Sequence, residues 1–272
     1  MFGQCHAREI SVLSSFRTQL PFDVLDEWRQ FRSAPLDEQR MALSNREFRA
    51  RLVHAAHHGK YSKLVGAEPS PLDYSALFVI QSALPGAHRS VAQIAAERGL
   101  DPVDAMIELA LETDFEQFFF QPVSNLNLDD VAEILRHPRT IMTFSDSGAH
   151  VSQIMDSSIH STFLAYWVRE RKMFTLEDAI RMITLAPARA WGLRDRGLIR
   201  EGMVADLNVF DPERICPELP QVATDLPGNG MRLVQKCSGI HATVVSGAVV
   251  LMKGEHSGRY PGQLLRGPLA GG

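Results

Sequence analysis

Six consecutive residues, Ser145-Asp146-Ser147-Gly148-Ala149-His150, hold the densest chemistry in this 272-residue chain. They follow a short apolar run, Ile141-Met142-Thr143-Phe144, which itself follows a helix-ending His137-Pro138. The pattern predicts a carboxylate and an imidazole on a small-residue turn at the end of a buried strand. In parallel α/β architectures, loops at the carboxyl ends of strands hold the chemistry. Asp146 could there ligate a metal, or take a proton from a metal-bound water and hand it to a leaving amine. The same residues suit a carboxylate that caps its own turn, and spacing alone leaves both readings open. His150 could orient a substrate or polarise a carbonyl, or simply face solvent at a helix cap. Ser145 and Gly148 let a backbone approach a ligand closely, and they are also ordinary turn residues.

Other clusters carry less. His54, His57 and His58 share one helical face at i, i+3, i+4 spacing, a pattern that can bind a metal. No carboxylate or cysteine is interleaved, so a solvated helix end fits better. His6, His88, His137, His160, His241 and His256 stand alone in sequence. There is no G-x-S-x-G elbow, no G-x-x-x-x-G-K-[ST] loop, no H-E-x-x-H, no C-x-x-C and no H-x-H. A metal site would have to draw on ligands dispersed along the chain.

The elements that must position these residues follow from local patterns. Phe2 to His6 suits a short strand. Phe22, Leu25, Trp28 and Phe31 suggest a short helix, and Leu36 to His58 a long one that Gly59 ends. Ser75 to Ser82 is a continuous apolar run, as in a strand buried on both faces. Ser90 with Gln93 has capping-box spacing, and Asp101-Pro102 opens the next helix. Residues 114–121 suit a strand or a packing corner, and Asn127 caps a helix that ends at His137-Pro138. An amphipathic helix is expected over 158–172, followed by one capped at Thr175. From about Arg196 the texture turns to β. Residues 212–238 read as a long loop, and Ser246-Gly247 as a two-residue hairpin turn.

Composition bounds the rest. Apolar residues make up 45% and charged residues 22%, ordinary for a globular chain. A net charge of −4 and a pI near 6.2 make no electrostatic case for nucleic acid or an anionic membrane. Cys5, Cys216 and Cys237 are scattered, which suggests reduced thiols and a cytoplasmic setting. No apolar run approaches the ~18 residues of a membrane span. The start, MFGQCHAREI, carries no secretory-signal pattern.

Taken together, HPRTIMTFSDSGAHV and TLEDAIRMITLAPARAWGLRDRGLIREGMVADLNVFD resemble the C-terminal part of the amidohydrolase superfamily, in its N-acyl-D-amino-acid deacylase (D-aminoacylase) branch. Ala179 to Ala188 resembles that family's last barrel helix, and Asp195 to Gly202 with Ala205-Asp206-Leu207 its return to a small β-sandwich. Val244-Val245-Ser246-Gly247 departs by one residue from the family's V-N-G. Gly258 to Gly262 and Leu264-Leu265-Arg266 also fit.

The resemblance implies a fold and a reaction. The fold would be α/β, the C-terminal part of a TIM-like (β/α)₈ barrel over 1–195, then part of a β-sandwich and a tail over 196–272. The reaction would be zinc-dependent hydrolysis of an amide C–N bond in an N-acyl (D-)amino acid. Asp146 matches the family's strand-eight aspartate, the general base, and is also a candidate metal ligand. His150 would contact substrate or support the groups that do, and Ser145 and Gly148 stay candidate substrate-binding residues. The family's H-x-H and its other metal ligands are missing. A complete barrel takes ~250 residues, so the chain is expected to hold its last two or three strands. It is then expected to need an N-terminal half in trans or to self-associate, because open strand edges and apolar faces demand cover. The alternative is a catalytically silent structural half.

Overall fold

The computed structural model describes residues 1–61, 72–145, 147–154 and 157–265. The chain opens with β1 (Gly3–Cys5) and β2 (Ile10–Ser14), then turns into α1 (Asp26–Arg32), α2 (Leu36–Leu43) and α3 (Arg46–His58). Next come β3 (Phe78–Val79), α4 (Val91–Arg98), α5 (Pro102–Glu112), β4 (Phe119–Ser124) and α6 (Leu128–Arg136). β5 (Thr140–Met142) and an extended β6 (Ser147–His150) precede α7 (Ile159–Thr162), which runs into a π-helical stretch, Phe163–Glu170. α8 (Leu176–Ile183) and α9 (Leu185–Ala190) complete the helices. The last part is β: β7 (Leu207–Phe210), β8 (Cys216–Pro217), β9 (Gln221–Leu226), β10 (Gly230–Val234), β11 (Cys237–Ser238), β12 (Ile240–Val245), β13 (Ala248–Met252) and β14 (Glu255–His256).

Helix starts follow side-chain chemistry. Ser90 Oγ accepts from the Gln93 N–H at 3.1 Å, and Gln93 Oε1 accepts from the Ser90 N–H at 2.9 Å. This reciprocal pair satisfies two donors that α4 leaves open. Asp101 Oδ1 accepts from the Val103 N–H at 2.8 Å, with Pro102 at the first helical position. The long helix expected over 36–58 is instead two, α2 and α3. Asn45 stops the first and caps the second by accepting from the Phe48 N–H at 3.1 Å. Over 158–172 the expected amphipathic helix is buried all round at its centre, with five consecutive buried residues from Phe163 to Trp167. Its π-helical winding, closed by the Arg171 N–H donating to the Tyr166 carbonyl at 2.8 Å, goes with that enclosure.

β1 and β5 run parallel, with Gly3 opposite Thr140, Gln4 opposite Ile141 and Cys5 opposite Met142. β2, β4 and β3 form an antiparallel sheet in the order β2-β4-β3. The expected doubly buried strand over 75–82 is therefore only a two-residue edge on β4. β14-β13-β12-β7 form a second antiparallel sheet. Its hairpin turns at Ser246 and Gly247, with φ of 48° and 78°, the left-handed pair of a type I′ turn. Residues 212–238 are more ordered than a loop, because β8 pairs with β11 and β9 with β10.

Two cores result. One gathers Phe16, Phe22, Trp28, Leu52, Met106 and Phe115 under the early helices. The other packs Cys5 and Met142 of the parallel pair against Val131, Leu135, Phe163 and Trp167. Trp28 anchors the first core. It is fully buried, lies 4.6 Å from the Phe22 ring, and donates Nε1–H to the Leu52 carbonyl at 2.9 Å. Trp28→Ala is expected to cost about 3–5 kcal/mol in urea unfolding. Trp191→Ala, at a site 61% exposed, is expected to stay within about 0.5 kcal/mol. Equal losses would contradict this assignment of the core.

Candidate active site

The carboxyl ends of β1 and β5 lie side by side because the strands are parallel and in register. β5 delivers Thr143, Phe144 and Ser145 there, and β1 delivers His6, Ala7, Arg8 and Glu9. Gln4 Nε2 donates to Thr143 Oγ1 at 2.9 Å, tying the two strand ends together. The His6 ring meets the Phe144 ring edge to face at 6.3 Å. One loop is therefore the expected Ser145–His150 segment, and its neighbour is a polar loop that sequence reading left as isolated residues.

That neighbouring loop is buried. His6 is 3% and Glu9 8% exposed. His6 Nδ1 sits 2.9 Å from the Arg8 carbonyl oxygen and 3.1 Å from the Arg8 N. One tautomer donates to the carbonyl, and the other accepts from the N–H. Asn125 Nδ2 donates to the Arg8 carbonyl at 3.0 Å. Trp167 Nε1 donates to the Ala7 carbonyl at 2.6 Å and pins the loop to the helical layer. Arg8 and Glu9 face each other at 3.8 Å. The signal available in sequence was a strand-length run ending in His-Ala-Arg-Glu, three titratable groups within four residues.

Cys5 directly precedes His6, and burial pushes its thiol up to about 11 despite a hydrogen bond with Thr140. It is protonated at neutral pH and unfit as a nucleophile. His88 borders the same small pocket as Arg8, its ring edge on to Phe120 at 4.8 Å. Burial lowers its pKa, while its contact with the Leu84 carbonyl and the Glu9 charge raise it less.

On the β5 side, Ser145 Oγ accepts from the Ser147 N–H at 3.3 Å. Gly148 has φ +95°, and nothing lies within 4 Å of where a Cβ would stand, so backbone conformation rather than space favours glycine. His150 is exposed with φ 45°, and its carbonyl accepts from the Gln153 and Ile154 N–H groups at 2.7 and 3.0 Å. The Leu13 N–H donates to the Gln153 carbonyl and the Leu233 N–H to the Val151 carbonyl, both at 2.8 Å, fixing this loop between β2 and β10. Asp146 lies outside the described residues, as does Arg266.

The helical histidines lead elsewhere. His57 Nε2 pairs with Asp101 Oδ2 at 2.8 Å, and the His54 and His58 rings lie tilted against each other at 4.5 Å. Among the described residues, no three His, Cys, Asp or Glu side chains are grouped to hold a metal ion, and no helix is long and apolar enough to cross a membrane.

His88 has a pH signature. An imidazole whose pKa falls on folding binds its proton less readily folded than unfolded. Stability is then fully present above the unfolded value of about 6.5 and is lost as pH falls through it toward the lower folded value. His88→Gln is expected to reduce the loss of urea stability between pH 7.5 and 5.5. An unchanged loss would remove His88 as a contributor.

Comparison with known proteins gives a consistent picture. A family model described as the amidohydrolase family matches residues 73–251. An N-acyl-D-aspartate deacylase of Alcaligenes xylosoxydans xylosoxydans is 30% identical over 188 residues, covering 65% of this chain and 32% of that protein. An N-acyl-D-glutamate deacylase of the same organism is 32% identical over 181 residues, covering 65% and 33%. A crystal structure of a D-aminoacylase is 25% identical, covers 64% of this chain and 33% of that one, and has a TM-score of 0.40. The chain thus spans about a third of the length of the curated relatives it matches.

Proposed function

The chain belongs to the amidohydrolase family, and from that premise we propose that it forms one wall of a site that hydrolyses the amide C–N bond of N-acyl (D-)amino acids. The observation that carries the reading is the match of the family model to residues 73–251, which include the β5 loop, beside the likeness of the chain to two N-acyl-D-amino-acid deacylases. In this reading Asp146 is the proton carrier. Water attacks the acyl carbon and gives one proton to the Asp146 carboxylate. The C–N bond breaks, and the same proton passes to the leaving amine nitrogen. The products are a carboxylic acid and a free amino acid. Ser145, the Gly148 backbone and His150 border the substrate, and His6 stands across from Phe144 where it can orient the acyl group.

The zinc that the family implies does not fit the described residues, which offer no three-ligand group. No step is therefore routed through it, and its donors would come from outside them. The same observation favours a second reading, in which the chain alone is a catalytically silent half.

Release of amino acid from N-acyl-D-aspartate and N-acyl-D-glutamate, with elemental analysis for zinc, tests both readings. Asp146→Asn is expected to lower turnover by roughly 10²–10⁴-fold, the range for loss of a positioned acid–base group. Turnover that survives this substitution would take Asp146 out of the mechanism. An inactive, zinc-free chain would favour the silent half.

A further inference from the structure

We propose that the cavity where the β9–β10 ribbon meets β2 binds a compact primary carboxamide with a short apolar tail. The site does not depend on the reaction proposed for Asp146 and stands if that residue proves idle.

The cavity arises from the way the ribbon lies on the sheet. Ser11 and Leu13 are two residues apart on β2, so their side chains leave the same face. Leu13 stands opposite Phe120 of β4, and Leu233 of β10 joins their apolar cluster. Ser11 stands opposite Pro122. Around it the apolar cover gives way to a cavity that Gln235, Arg8 and His88 also border. The centre of a water-sized body can range over about 20 Å³ there, more than a single water needs.

Two atoms in the wall point to a ligand. Ser11 is 1% exposed, and its Oγ has no hydrogen-bond partner among the described residues. Gln235 Oε1 is likewise buried and unpartnered. Its amide cannot turn to relieve this, because Nε2 donates to the Glu218 carbonyl at 2.8 Å and a flip would set oxygen against oxygen. Folded proteins leave few buried polar atoms unsatisfied, and an unseen bound group is one of the standard reasons.

The chemistry of the wall selects that group. Ser11 Oγ and Gln235 Oε1 are not bonded to each other, and each can accept a hydrogen bond. The Arg8 guanidinium offers only N–H donors. A primary carboxamide brings an N–H to each acceptor and a carbonyl to the arginine. A carboxylate has no hydrogen to give and would set its own oxygen against Gln235 Oε1. An ammonium would meet Arg8 as a like charge. Arg8 and Glu9, 3.8 Å apart, already balance, so a neutral ligand adds no unpaired buried charge. Leu13 and Phe120 line the remainder and suit an apolar tail.

Occupancy would reach the candidate site through the ribbon. Two residues before Gln235, the Leu233 N–H donates to the Val151 carbonyl at 2.8 Å, directly after the Ser145–His150 segment. A ligand that bridges Gln235 to Ser11 braces that contact.

The test is titration of the full chain with propionamide, followed by ligand-observed NMR. Binding is expected to saturate with a Kd on the order of millimolar. At about ten times that concentration, exchange of the Leu233 amide should slow about tenfold. Propionate should bind at least about tenfold more weakly. Ser11→Ala removes an unpartnered hydroxyl, so it should leave urea stability intact while weakening propionamide about fivefold. Ala83→Leu narrows the same cavity from the loop after β3 and should weaken binding further. Ser33→Ala, at the exposed end of α1, should leave binding unchanged. Failure of propionamide to saturate below about 100 mM would overturn the proposal and leave water as the occupant. Propionate that binds as well as propionamide would also overturn it, as would binding indifferent to Ser11→Ala or to Ala83→Leu.

Discussion

The parallel pairing of β1 with β5 is the constraint on which the rest of the structure depends. Parallel strands cannot be joined by a tight turn. Here the described residues of the crossover between Cys5 and Thr140 include α1 to α6 and the β2-β4-β3 sheet. That long excursion is costly in loop entropy, and it is offset by a core of its own around Trp28 and Phe115. α6, at the end of the excursion, packs on the pair directly, joined by the π-helical stretch, α8 and α9. Trp167, donating to the Ala7 carbonyl, is the point where this helical layer grips the loop that leaves β1.

Features written in local chemistry were legible. The capping box at Ser90 and Gln93, the Asp101-Pro102 start and the Ser246-Gly247 turn each need only a few neighbouring residues, and each stands where the sequence places it. Family membership was legible too, in the motifs of the strand-end loop and of residues 175–211, which lie within the range the family model matches. What escaped depends on distant partners. β2 reads as unpatterned until β4 is laid beside it, with Leu13 opposite Phe120. The ribbons within 212–238 alternate too little to announce strands, and they exist through mutual pairing. His6, Arg8 and Glu9 looked isolated because their neighbours, Phe144, Asn125 and Trp167, lie more than a hundred residues away.

The two halves of the candidate site are held differently. The β5 loop is shaped by backbone conformation: Gly148 and His150 both adopt positive φ, and the turn is fixed by backbone donors from β2 and β10. Non-glycine residues adopt that region at a cost, and such strain persists where the surroundings over-determine it. The β1 loop is shaped by side chains and burial. Its carbonyls at Ala7 and Arg8 are each taken by a side-chain donor. One loop leaves an exposed imidazole at its end, and the other keeps its imidazole enclosed.

The burial of Arg8 and Glu9 argues most directly for a chemical role at this place. Their side chains are only 13% and 11% exposed, and their closest approach is 3.8 Å. Desolvating two charges costs several kcal/mol each. Two apolar residues of similar volume would serve the fold at least as well. Local arrangements that a fold does not require concentrate at functional sites, where geometry and charge matter more than stability. Here the cost falls on the loop beside a strand-end segment that lies within the residues the family model matches. Fixed charges and an enclosed imidazole where water is sparse would suit one wall of the amide-hydrolysing site proposed above. His6, Arg8 and Glu9 supply both from a single turn of chain.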